Sequence, residues 1–131
     1  MGWDLPEPES INLTAELRLH LGDGKSAILR YSESGEAFSL DLMMVPSGFR
    51  GQGLGTLLVY RLLRMADASG KPVLLTARPL GGNSPEALER LVRYYGRFGF
   101  QAVQRGLTTV GMRRVPRGAD RRPGQETEGN A

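Results

Sequence analysis

A glycine-rich run holding one arginine and an aspartate inside an apolar run are the residues here whose types and spacing could do chemistry. The first is Val45-Pro46-Ser47-Gly48-Phe49-Arg50-Gly51-Gln52-Gly53-Leu54-Gly55-Thr56. Apolar residues Phe38 to Met44 precede it, and an apolar segment, Leu57 to Ala68, follows it. A strand that ends in a glycine-rich loop and opens a helix is an anion site. The first-turn N–H groups have no intrahelical partner, and the helix dipole adds partial positive charge there. Gly51, Gly53 and Gly55 carry no Cβ, so the backbone can approach a phosphate closely. Two nucleotide loops are excluded. The P-loop needs Lys-Ser/Thr after its last glycine, and Gly55 is followed by Thr56-Leu57. The dinucleotide fingerprint GxGxxG does not match the GxGxG formed by Gly51, Gly53 and Gly55. The plainer alternative is a turn that needs glycine for tightness alone.

The aspartate is Asp41. Along Phe38 to Val45, residues Phe38, Leu40, Leu42 and Met44 make one apolar face, and Ser39, Asp41, Met43 and Val45 the other. A charge in the middle of a central strand is costly to bury. Asp41 therefore faces a wet cleft, as a functional candidate, or is paired.

The elements that must position these residues follow from periodicity. Ile11 to Leu21 alternates, with Ile11, Leu13, Ala15, Leu17, Leu19 and Leu21 on one face and Asn12, Thr14, Glu16, Arg18 and His20 on the other. This predicts a strand with one wet face and makes His20 a surface histidine, with a catalytic role as the alternative. Gly22-Asp23-Gly24 is hairpin chemistry, Lys25 to Tyr31 the return strand, and Phe38 to Val45 the third strand of an antiparallel meander. Leu54 to Ala68 reads as a helix with leucines nearly all round and little solvent exposure. Gly70 and Pro72 end it. Val73 to Ala77 is a short buried strand, parallel to the third and joined to it right-handed. Asn83-Ser84-Pro85-Glu86 starts a second helix, to about Arg97. Leu88, Leu91, Val92 and Tyr95 form its apolar stripe. Glu86–Arg90 and Glu89–Arg93 are favourable helical pairs, so those arginines read as a solvated face, whereas Arg97 is left free for a phosphate. Phe100 to Arg105 and Leu107 to Val115 form a last hairpin around Gly106. The expected fold is α/β (α+β): a mixed, mostly antiparallel sheet of about six strands with two main helices.

The 131 residues make one domain. Residues 1–10 read as an extended arm whose Trp3 docks on its own domain or a partner, 11–115 as the folded domain, and 116–131 as a disordered tail. There are no cysteines and one histidine, which excludes disulfides, thiol catalysis and a histidine metal cluster. No apolar run reaches membrane-spanning length. Residues 1–10 do not form a signal peptide, so cytoplasmic residence is the default. Net charge is +3. Arg113, Arg114, Arg117, Arg121 and Arg122 could touch nucleic acid, but Asp120, Glu126 and Glu128 balance them and no aromatics interleave. A solvated tail is the preferred reading.

The loop, read as Arg50-x-x-Gly53-x-Gly55 directly after Val45-Pro46, resembles the coenzyme A pyrophosphate loop of the GNAT superfamily of N-acetyltransferases. Leu91-Val92-Arg93-Tyr94-Tyr95-Gly96-Arg97-Phe98-Gly99-Phe100 resembles that family's second signature, a helix ending Tyr-x-x-x-Gly-Phe. Together the two cover about residues 38–105. The resemblance implies a GNAT-like fold that uses acetyl-CoA as cosubstrate, without a metal. N–H groups of Gly51, Gln52, Gly53, Leu54, Gly55 and Thr56 would hold the pyrophosphate, with the Arg50 and Gln52 side chains beside it. The strand edge at Met43, Met44 and Val45 would pair with the pantetheine arm, and the Met43 N–H would polarise the thioester carbonyl. Tyr95 would protonate the leaving thiolate; its alternative is a core aromatic with a locally satisfied hydroxyl.

The sequence also departs from the family. The usual N-terminal helices are missing, so the acceptor side should be open or completed by a partner chain. Ser39 stands where many members have a general-base Glu, and Asp41 or a water could substitute. Leu88 occupies the place of the family's Asn, with Asn83 displaced, and is expected at the cofactor. The implied activity is acetyl transfer to a primary amine, of a small molecule or a peptide, by direct attack in a ternary complex. The alternative is an inactive coenzyme A-binding module acting through a protein partner. A homodimer through the last hairpin is a further expectation, whereas membrane and nucleic-acid partners are not expected.

Overall fold

The computed structural model describes residues 13–79 and 84–117; the expectations placed on residues 1–12, the Asn83 loop and residues 118–131 lie outside them. Strands β1 (Leu13–Gly22), β2 (Lys25–Glu33) and β3 (Phe38–Met44) form the antiparallel meander. A 3-10 turn, Ser47–Phe49, leads into α1 (Leu54–Ser69), followed by β4 (Val73–Ala77), α2 (Pro85–Gly96), β5 (Gln101–Arg105) and β6 (Val110–Arg114). The strands form one mixed sheet in the order β1-β2-β3-β4-β6-β5, in which, among the described residues, β3 and β4 are the one parallel pair.

Each helix ends where its sequence dictates. Gly70 takes a left-handed φ of 69°, and its N–H and that of Lys71 close on the Asp67 and Ala66 carbonyls. At the start of α2 the cap is Ser84 rather than Asn83: its hydroxyl accepts from the Ala87 N–H, and Pro85 follows in the first turn.

Both crossovers, through α1 and through α2, advance the same way along the sheet. Right-handed connection therefore puts both helices on one face. Val73, Leu75 and Ala77 are buried beneath them, while Leu74 and Thr76 look out of the other face. Tyr60 of α1 meets Phe98 just beyond α2 edge-to-face, with centroids 5.2 Å apart. The core lies between: Leu58, Val59, Leu62, Leu63 and Ala66 of α1 pack on Ala27, Leu29, Phe38 and Leu40 of the meander. Leu57 and Tyr60 on the outer side of α1 are 44% and 53% exposed, so that helix is less enclosed than its leucines imply.

Arg114 is not part of a solvated tail. It is 5% exposed, donates to both Asp67 carboxylate oxygens at 2.8 and 3.1 Å, and donates through Nε to the Phe98 carbonyl. One guanidinium thus ties β6, the end of α1 and the turn after α2 together. The expected Glu89–Arg93 pair is replaced by a cross-element one: Glu89 accepts from Arg105 of β5 at 2.9 Å.

Candidate active site: a helix mouth and a splayed pair of strands

The site begins with a fault in the meander. Arg30 pairs with Leu42, but Tyr31 pairs with Leu40, so Asp41 is the extra residue of a β-bulge. A bulge of one residue reverses the alternation beyond it. Met43 and Val45, expected opposite Phe38 and Leu40, pack against the core instead, and Met44 is 48% exposed. The single apolar face expected of Phe38, Leu40, Leu42 and Met44 is therefore broken after Leu40.

The same strand parts from its parallel neighbour. The β3–β4 register ends at Leu40↔Leu75, and beyond it the two strands run on unpaired with each other. The gap is a cleft of about 540 Å³, walled by Asp41, Leu42 and Met43 on one side, Thr76 and Arg78 on the other, and α2 above. Backbone groups on that side of β3 are open to pairing with an extended ligand.

The loop after β3 folds as an open cradle. Arg50 bends back so that its Nε donates to the Val45 carbonyl at 3.0 Å. Gly51 and Gly53 take φ of 83° and 80°, the left-handed region that favours glycine. A Cβ at either position would meet nothing within 4 Å among the described residues. Gly53 caps α1, and among the described residues no side chain caps its first-turn N–H groups. A cavity of about 520 Å³ lies against these groups, lined by Val45, Arg50, Gly51, Gly53, Gly55 and Thr56 among others. Open N–H groups, a helix dipole and a cradle without Cβ atoms suit a diphosphate, whose charge they would offset.

Met43 and Tyr94 line both cavities, which makes the two compartments neighbours. Tyr95 lines the cleft, is 8% exposed, and packs edge-on to Tyr94 and Phe100. Burial, then the neighbouring Tyr94 phenol, pushes its hydroxyl up to about 12, so it stays protonated at any physiological pH. Among the described residues it makes no hydrogen bond, in contrast to the locally satisfied hydroxyl of the plainer alternative. Asp41 meets both of its expectations: it lines the cleft, and it accepts a hydrogen bond from the Ser32 hydroxyl on β2.

The structure brings Asp41, Met43 and Tyr95 to the cleft, and Met43, Met44, Val45, Arg50, Gly51, Gly53, Leu54, Gly55 and Thr56 to the cradle. It does not bring in Leu88, which is 6% exposed in the core. Gln52 is exposed in the loop but lines neither cavity. Arg97 caps α2 with its guanidinium over the Tyr94 ring, 5.3 Å from the centroid, and is not on the lining. Sequence reasoning missed Tyr94, Arg78 and Arg90. Ala87, Arg90, Leu91 and Tyr94 all face the cleft, a helical stripe one residue out of phase with the core stripe of Leu88 and Tyr95. Their i, i+3, i+4, i+7 spacing was the available signal.

No family model matches the chain. A Bacillus subtilis (strain 168) protein, YjbC, provisionally named an acetyltransferase, is 33% identical over 95 residues; these are 72% of this chain, which spans only 45% of that relative's length. The crystal structure of an acyl-CoA N-acyltransferase from Pseudomonas aeruginosa superposes with a TM-score of 0.60 at 30% identity, covering 78% of this chain and 68% of that one. A Bacteroides thetaiotaomicron structure provisionally titled an acetyltransferase of the GNAT family shares the fold, with a TM-score of 0.60 at 16% identity over 89% of this chain and 68% of its own. The six-stranded splayed sheet, the uncapped helix mouth and these likenesses define an acetyltransferase fold. The chain belongs to the GNAT superfamily.

Proposed function

We propose that the protein transfers an acetyl group from acetyl-CoA to a primary amine, by direct attack within a ternary complex. The observation that carries this reading is the adjacency of the two cavities: an anion cradle and a cleft with a protonated phenol meet at Met43 and Tyr94. The N–H groups of residues 51–56 hold the pyrophosphate, and the open edge of β3 takes the pantetheine arm as an added strand. This lays the thioester in the cleft, with the Met43 N–H as a donor to its carbonyl oxygen. The amine nitrogen attacks that carbon, the carbon–sulfur bond breaks, and the Tyr95 hydroxyl gives its proton to the departing sulfur. Asp41, or a water it holds, takes the proton from nitrogen. The acceleration comes mostly from alignment of the two reactants. Thr76 lines the cleft from the sheet face that carries no helix, so the amine approaches from that side.

Mixing the protein with acetyl-CoA and a panel of primary amines, and following free thiol, tests this. Amine-dependent thiol release is expected. Tight coenzyme A binding with no release from any amine, peptides included, would favour the inactive binding module instead.

A further inference from the structure

We propose that Tyr94 is a positioning residue for the donor's pyrophosphate, acting through the Thr56 hydroxyl; the inference rests on the reading just given. Thr56 is the third residue of α1, within the turn whose N–H groups are uncapped. Its Oγ1 lies 3.0 Å from the Tyr94 hydroxyl, a link between residues 38 apart in the chain. A threonine hydroxyl has one proton and two lone pairs. When Tyr94 donates into it, the Thr56 proton is left to donate toward the cradle, and a phosphate oxygen is the acceptor that rewards this order. A hydrogen bond to an ionised acceptor is stronger than a neutral one, and linked donors polarise each other.

Independent observations fix Tyr94 for this role. Its ring is held edge-on by Tyr95 and Phe98, with centroids 5.1 and 5.3 Å away, and Arg97 lies over its face. The hydroxyl is lodged against the first turn of α1, 3.8 Å from where a Cβ on Gly55 would stand. Arg97 thereby gains a function without touching the lining: it holds the ring that holds the hydroxyl. Tyr94 and Tyr95 divide the work, one serving donor affinity and the other the chemical step.

Tyr94→Phe keeps the ring and removes the donor; Thr56→Val removes the hydroxyl and keeps the shape. Coenzyme A affinity, read by calorimetry, should weaken about threefold to tenfold in each, as for one ordinary hydrogen bond. The double variant should lose little more than either single one, because the two act as one unit. Thr56→Ser should stay near wild type. At sub-saturating donor, Tyr94→Phe should cost turnover of acetyl-CoA about threefold more than turnover of S-acetylpantetheine, which lacks the pyrophosphate. Equal losses with acetyl-CoA and S-acetylpantetheine, additive losses in the double variant, or unchanged coenzyme A affinity in Tyr94→Phe would each overturn the inference. Wild-type protein that binds no coenzyme A would instead overturn the functional reading beneath it.

Discussion

Replacing Tyr95 by phenylalanine removes one oxygen from a ring that is 8% exposed and leaves its edge-on contacts with Tyr94 and Phe100 in place. The hydroxyl has no hydrogen-bond partner among the described residues, so its loss should alter thermal stability little, by less than ~1 kcal/mol. The chemical step should change far more. The phenol stands at about 12 where 10.0 is ordinary, a penalty of ~3 kcal/mol on the phenolate. It is thus a reluctant acid, but one whose proton is present throughout the working range. A departing thiolate would otherwise leave unprotonated. General acid help of this kind is worth roughly 10²- to 10⁴-fold, so kcat should fall by about 10² with coenzyme A affinity unchanged. The measurement is amine-dependent thiol release set beside calorimetric binding. A kcat within threefold of wild type would remove Tyr95 from the mechanism. The same group has an alkaline signature. A folded-state value above the unfolded one means the native state keeps the proton longer, so stability is complete below pH 10 and falls by up to ~1.4 kcal/mol per pH unit between 10 and 12. Tyr95→Phe should flatten that slope in alkaline melts, and an unchanged slope would refute the burial argument.

Gly53→Glu should abolish coenzyme A binding, through strain at a φ of 80°, bulk in the cradle and repulsion of the diphosphate; binding retained in calorimetry would reassign the loop. Asp67→Ala strands the buried Arg114 guanidinium and should cost on the order of 3–5 kcal/mol in denaturant unfolding, well beyond an exposed pair such as Glu89–Arg105. Burial alone would raise the Asp67 carboxyl, but hydrogen bonds from Arg114 and the Arg117 N–H hold it below 3.8; its contribution is present above about pH 4 and lost as pH falls through the depressed value. Leu88→Ala should cost about 2–5 kcal/mol as a core cavity and leave the KM for acetyl-CoA unchanged, whereas a raised KM would return Leu88 to the cofactor site.

Much of the fold was legible because its signals are local. Alternation marked the strands, Gly70 and Pro85 marked helix ends, and the apolar crossover after the glycine loop required a parallel pair. The cradle was legible for the same reason: Gly51 and Gly53 adopt the left-handed φ that their type allows. What escaped depends on register and on partners distant in sequence. Nothing in Phe38 to Met44 announces that Asp41 is an extra residue, because a bulge exists only relative to the partner strand. Arg114 reads as one more cation beside Arg113 until Asp67, 47 residues earlier, is folded against it. Tyr94 was hidden behind Tyr95: both line the cleft, but only Tyr94 also reaches the glycine loop, and that depends on α1 being folded against α2.

Acetyl transfer here requires that a diphosphate at the mouth of α1 deliver a thioester to Tyr95. A crystal structure of the protein with coenzyme A bound tests this most directly. The predicted result has the pyrophosphate on the N–H groups of residues 51–56, the pantetheine arm along β3 beyond Leu40, and the sulfur within hydrogen-bond reach of the Tyr95 hydroxyl. Phosphates bound away from that mouth, or a sulfur out of the phenol's reach, would contradict it.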